Sequence, residues 1–97
     1  MDELYFNLSM NELRTFVAIV ESGTFASAGI KVNKTQSAVS QQIQSLEGFL
    51  KTELFKRDGR NKVLTNEGKD LYIGAKQILQ LNDQIVRQFD VLSNNLD

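Results

Sequence analysis

The stretch "NKTQSAVSQQIQSLE", Asn33 to Glu47, decides how the chain is read. Glutamine and serine fill most of the run from Gln36 to Gln42, and no charge appears between Lys34 and Glu47. Val39, Ile43, Leu46 and Leu50 recur at helical spacing, so the segment reads as a helix with one buried stripe and Thr35 as its N-cap. With Val39 at the centre of the buried side, a rotation of about 100° per residue carries Ser37, Ser40, Gln41 and Gln44 to or near the opposite side. Thr35 and Gln36 sit at the tip. Exposed helix faces ordinarily carry Glu and Lys, which support helicity and solubility, and serine is a mediocre helix former. An uncharged face of amides and hydroxyls therefore points to a use.

Upstream, Ser9 to Glu12 reads S-x-x-E, a capping box. It opens a helix over about 10–22 with Leu13, Phe16, Val17 and Val20 inward, closed by Gly23. Thr24 caps a short helix over about 25–32, with Phe25, Ala28 and Val32 inward. Asn33 and Lys34 then turn the chain into the quoted segment. Two helices joined by so short a turn form a helix-turn-helix outline, and the small Ala28 and Gly29 allow close approach. Downstream, "LFKRDGRNKVLT", Leu54 to Thr65, reads as a small hairpin turning at Asp58–Gly59. Its tip carries Arg57, Arg60 and Lys62.

Thr65 caps a final helix over about 66–92, roughly 40 Å long. Leu71, Ile78, Ile85 and Leu92 are spaced by seven, and Ala75, Asn82, Phe89 and Leu96 follow each by four. This is a heptad seam that needs another surface to cover it. Leu71, Ala75, Ile78, Asn82, Ile85, Phe89 and Leu92 are the expected dimerisation residues, with Asn82 as a register setter.

The chain has 97 residues, 41% hydrophobic and 24% charged, and contains neither His nor Cys. That composition fits one small globular domain with a modest core. It excludes thiol chemistry, disulfides, thiolate–zinc sites and imidazole catalysis. The carboxylates form no clear cleft motif, so no catalytic residue, metal site or cofactor is expected. Absent cysteine suits a reducing cytoplasm, the expected location. No stretch approaches the roughly 20 apolar residues of a membrane span, and the acidic start, Met1 to Ser9, is unlike a signal peptide.

The net charge of −1 hides an asymmetry: seven bases against three acids leave +4 between Lys31 and Lys62, and four bases against nine acids leave −5 elsewhere. A basic middle in an acidic frame suggests one face meeting an anion, and nucleic acid is the usual large one. The major groove admits a helix and presents donors and acceptors, to which Gln pairs bidentately at adenine and Ser or Thr in either sense. Thr35, Gln36, Ser37, Ser40, Gln41 and Gln44 are the expected base-binding residues. Lys31, Lys34, Lys51, Lys56, Arg57, Arg60 and Lys62 are the expected backbone contacts, positioning the protein while base contacts specify sequence. Readout should be amide-led and lean to A·T, with no arginine–guanine contact from the third helix.

The ordered runs "LRTFVAIVESGTFASAG", "TQSAVSQQIQSLEGFL" and "ELFKRDGRNKVLTNEG" resemble the N-terminal DNA-binding domain of LysR-type transcriptional regulators. The motif set is Phe16, Ala28, Gln36, Ala38-Val39-Ser40, Leu46-Glu47, Leu54-Phe55, Arg57, Leu64-Thr65 and Gly68, and it covers nearly the whole chain. "TQSAVSQQIQ" and "GRNKVLT" look most like the branch that includes the motility and virulence repressors LrhA and HexA. The resemblance implies a winged helix-turn-helix with a linker helix that dimerises antiparallel, which revises the parallel default and weakens the register role of Asn82. It implies Thr35, Gln36, Ser37, Ser40 and Gln41 in the groove, and Arg57 with the wing bases on backbone or minor groove. The chain departs from the family pattern at Gly29 (usually alanine), Val32 (usually leucine), Lys51 (usually glycine) and Gln41 (often arginine). Family members also have a larger C-terminal domain that senses a small-molecule effector, so this chain is expected to be a DNA-binding fragment without it.

These readings converge on a mainly α fold: a winged helix-turn-helix DNA-binding domain over 1–65, with a small β-hairpin wing, and a linker and dimerisation helix over 66–97. The expected function is sequence-specific binding of double-stranded DNA at inverted-repeat promoter sites, as a homodimer, with no membrane partner. The alternative is a winged-helix protein–protein interaction module, whose binding would lack the steep salt dependence of phosphate contacts.

Overall fold

The computed structural model describes the backbone of residues 7–96 and the side chains of residues 7–90. Chain order is α1 (Met10–Ser22), α2 (Phe25–Val32), α3 (Gln36–Leu50), β1 (Phe55–Asp58), β2 (Asn61–Leu64) and α4 (Asn66–Leu96). This is a winged helix-turn-helix, mainly α, with one two-stranded antiparallel hairpin.

Each helix begins where a hydroxyl satisfies free backbone donors. Ser9 accepts from the Glu12 N–H at 3.2 Å, Thr24 from Ser27, Thr35 from Ala38 and Thr65 from Gly68, the last three at 3.0 Å. Each such cap contributes about 1 kcal/mol. The helices end on left-handed residues: Gly23 after α1, Asn33 after α2 and Lys51 after α3. Lys51 occupies the left-handed well itself, at φ 55°, and donates its N–H to the Glu47 carbonyl. The α3 terminus thus forms without the family's usual glycine.

The core gathers Leu13, Phe16 and Ile19 of α1, Ala28 of α2, Val39, Ile43 and Leu46 of α3, Leu54, and Ala75 and Leu79 of α4. Burying a large apolar side chain contributes about 1.5–3 kcal/mol, so this cluster supplies most of the drive to fold. α1 packs against α2, α3 and α4, making it the central element. Gly29 is buried, and a Cβ there would stand 2.7 Å from the Lys34 carbonyl oxygen. The turn of the helix-turn-helix therefore lies directly on α2.

Two expectations shift. The hairpin turns at Gly59–Arg60 rather than Asp58–Gly59, because Asp58 pairs with Asn61 as the last residue of the ladder. Gly59 takes the first corner position at φ 66°, where a two-residue hairpin loop favours glycine. The second shift concerns α4. Ala75 is 0% exposed and Leu79 nearly buried, with Leu71 and Ile78 packed against the same cluster. Half of the seam therefore covers the chain's own core, and Ala75 has no surface left for a partner. The division at 65/66 separates elements, not cores. Ile85 (48% exposed), Val86 and Phe89 (65%) remain open on the distal half. Leu92 lies outside the residues whose side chains are described, and residues 1–6 and 97 lie outside the described chain.

Candidate nucleic-acid interface

α3 sorts its polar residues by face. Thr35, Gln36, Ser37, Gln41 and Gln44 are exposed and Ser40 is half-buried. The stripe opposite, Val39, Ile43 and Leu46, is buried. All six residues expected to read bases therefore lie off the core side. Thr35 has a structural task as well, since its hydroxyl caps α3. Gln42 belongs elsewhere. Its Oε1 accepts from the Thr15 hydroxyl at 2.5 Å and from the Lys34 ammonium at 3.2 Å, which ties α3 to α1 and to the turn. Thr15 is 1% exposed, so this bond satisfies a polar group inside the core.

The wing stands beside α3. Glu47 of α3 accepts the N–H of Leu54 at 2.8 Å and that of Phe55 at 3.4 Å, which fixes the base of the hairpin. Thr65 donates its hydroxyl to the Glu53 carbonyl at 2.6 Å, and its N–H to the Leu54 carbonyl at 3.0 Å, closing the other side. Arg57 and Lys62 lie directly opposite each other in the ladder. Like charges in that relation destabilise a hairpin. An anion bound between them would relieve the repulsion. Gln36 and Ser40 of α3, Phe25 of α2 and Arg60 and Lys62 of the wing line one groove of about 630 Å³.

The seven expected backbone cations do not form one group. Lys56, Arg57 and Arg60 are exposed on the hairpin, and Lys51 at the end of α3. Lys62 rests over the Phe25 ring, 4.7 Å from its centroid. Lys34 holds Gln42. Lys31 is drawn to Glu21 at 3.8 Å and helps line a shallow depression with Arg14 and Leu79, between α1, α2 and α4. Any phosphate contact by Lys31 competes with that carboxylate.

Glu21 is a junction. It accepts from the Tyr72 hydroxyl and from the Lys76 ammonium, each at 2.8 Å, so α1 is tied to α4. The Lys76 and Tyr72 donors hold its carboxyl below the ordinary carboxylate range, and its charge in turn raises Tyr72 and Lys76. Arg14 pairs with Asp83 at 2.7 Å as a second tie, and this bond, with one from Asn82, lowers Asp83. Asn82 thus supports an ion pair of its own chain. The ties from Glu21 and Arg14 to α4 are not legible from spacing, because each joins residues 51 or more positions apart in sequence.

Among the described residues no cluster of acidic side chains could hold a metal ion, and no helix is long and apolar enough to cross a membrane.

Residues 10–69 match the family described as bacterial regulatory helix-turn-helix protein, lysR family. The HTH-type transcriptional regulator PecT of Dickeya dadantii (strain 3937) is 53% identical over 78 residues, covering 80% of this chain and 25% of PecT. DgdR of Burkholderia cepacia is 41% identical over 78 residues, covering 80% of this chain and 26% of DgdR. The chain spans about a quarter of the length of these curated relatives. Among solved structures, the BenM_DBD/catB site 1 DNA complex superposes with a TM-score of 0.81 at 35% identity, over 89% of this chain and 97% of that one. Vibrio fischeri DarR in complex with DNA gives 0.81 at 28% identity, over 91% of this chain and 30% of that one. The family match spans more than half of the chain and the superposition covers most of it, and the chain belongs to the lysR family of bacterial regulatory helix-turn-helix proteins.

Proposed function

We propose that the chain binds double-stranded DNA sequence-specifically, as the DNA-binding part of a transcription regulator. One observation carries this reading: the exposed, uncharged amide and hydroxyl face of α3 stands beside a wing whose strands oppose Arg57 to Lys62. The fold likeness to BenM and DarR, each solved with DNA, supports it. α3 enters the major groove, where Gln36, Ser37, Ser40, Gln41 and Gln44 meet base edges with a lean to A·T. Thr35 at its start and the helix N-terminus suit a phosphate. Lys34, Lys51, Lys56, Arg57, Arg60 and Lys62 follow the backbone, and Lys31 does so once released from Glu21.

The exposed distal half of α4, with Ile85 and Phe89, joins a second copy, so the homodimer reads an inverted repeat. The regulator works in the cytoplasm, and catalysis forms no part of this role. An effector would act through a domain outside this chain.

The test is selection of bound duplexes from a random pool, followed by anisotropy titration over a range of salt. The expected result is a two-fold symmetric motif whose log affinity falls linearly with log salt, by about 0.9 per phosphate neutralised. No binding at low salt would favour the protein-interaction module instead.

A further inference from the structure

Three phenylalanines lead from the core to the wing. The ring of Phe16, fully buried, meets that of Phe55 edge-on at 5.7 Å and 60°. Phe55 meets Phe25 in the same manner at 5.3 Å and 65°. Phe25 is the first residue of α2, and the Lys62 ammonium lies 4.7 Å from its centroid. The ring's negative face attracts a cation at that range. Phe25 and Lys62 also line the groove that Gln36 and Ser40 border. A lysine loses rotamer freedom whenever it settles on a partner, and one already resting on a ring gives up less.

We propose that Phe25 is a positioning residue of the DNA interface: its ring holds Lys62 against the repulsion of Arg57, so that the wing meets phosphate with this cation already in place. The inference rests on the function proposed above. Its chemistry separates three substitutions. Phe25→Leu keeps an apolar side chain against Phe55 but removes the π face. Phe25→Tyr keeps both. Lys62→Gln removes the cation.

Two measurements test it. In proton–carbon NMR of the unsubstituted chain, the Lys62 ε-methylene should show an upfield ring-current shift, lost in Phe25→Leu and kept in Phe25→Tyr. In anisotropy titrations, Phe25→Leu should weaken all duplex sequences alike, by about threefold, Phe25→Tyr should restore binding, and Phe25→Leu should add nothing in a Lys62→Gln background. A Lys62 signal at its ordinary position in the unsubstituted chain overturns the inference without recourse to any variant. So do unchanged or tighter binding by a folded Phe25→Leu chain, or losses that add to those of Lys62→Gln. An unsubstituted chain that binds no duplex overturns the proposed function and this inference together, whereas a binding chain indifferent to Phe25→Leu overturns this inference alone.

Discussion

The carboxylate of Glu47, on α3, accepts the backbone N–H of Leu54 at 2.8 Å, so the helix proposed to read bases also sets the position of the wing. The same oxygen reaches the Phe55 N–H at 3.4 Å. Glu47→Ala leaves these part-buried donors unpaired and should cost about 1–3 kcal/mol. Glu47→Gln retains an amide oxygen in place and should cost less. Urea melts followed by circular dichroism give both values; an Ala variant as stable as the parent would remove Glu47 as the brace.

Gln36 and Arg57 should fail in different ways. Gln36→Ala should lose about 1–3 kcal/mol of discrimination at one base position and leave non-specific binding nearly intact. Arg57→Ala should weaken every sequence and lower the salt slope by about 1. Competition titrations with point-substituted duplexes compare the two. Uniform weakening by Gln36→Ala would contradict base reading.

Ile85 is 48% exposed in the single chain, so an aspartate there costs the monomer fold little. Ile85→Asp should nevertheless give monomers in sedimentation velocity and weaken operator binding, because the two half-sites then act separately. A dimer that survives this change would place the interface elsewhere.

Stability should decline at both ends of the pH scale through the ties between α1 and α4. Glu21 sits below its ordinary 4.5, so its contribution is present above pH 4.5 and is lost as pH falls through the folded value. Asp83, held down by Arg14, behaves alike from 3.8. Tyr72 and Lys76 sit above 10.0 and 10.5, so their contribution is complete below those values and is lost as pH rises through the folded ones. Urea melts from pH 3 to pH 11 should show Glu21→Gln flattening both limbs. An alkaline limb unaltered by this substitution would separate Tyr72 and Lys76 from Glu21.

Gly68 is buried where α4 begins, and a Cβ there would stand 2.8 Å from Leu64 Cδ2 and closer still, at 2.4 Å, to the Leu54 carbonyl oxygen. Because the second obstacle is backbone, Gly68→Ala should cost about 1–3 kcal/mol. Gly48 meets nothing within 4 Å, so Gly48→Ala should be neutral or stabilising by comparison. Thermal denaturation of the pair distinguishes steric crowding from a general response to replacing glycine.

Local chemistry was enough to place the elements. Ser9, Thr24, Thr35 and Thr65 fixed the helix starts because a cap needs only a hydroxyl and the next turn of backbone. The period of Val39, Ile43 and Leu46 fixed which side of α3 is buried, and with it the free amide face. The hairpin corner was misplaced by one residue because Asp-Gly and Gly-Arg compete for the same turn, and strand pairing decides between them. The end of α3 at Lys51 was hidden for a related reason. A lysine can occupy the left-handed well, but unlike glycine or asparagine it carries no local preference that marks it in advance.

Local sequence was enough for four helices, a hairpin, the uncharged side of α3 that faces away from the core and the basic middle, since all of these follow from neighbours within a few residues. Tertiary structure alone decided that α4 spends Ala75 and Leu79 on its own core, that Glu47 braces the wing, that Gln42 turns inward to Thr15, that Lys31 answers to Glu21 and that Lys62 rests on Phe25. Each of those contacts joins residues brought together only when the helices pack, and periodicity says which face is apolar but not which partner will cover it.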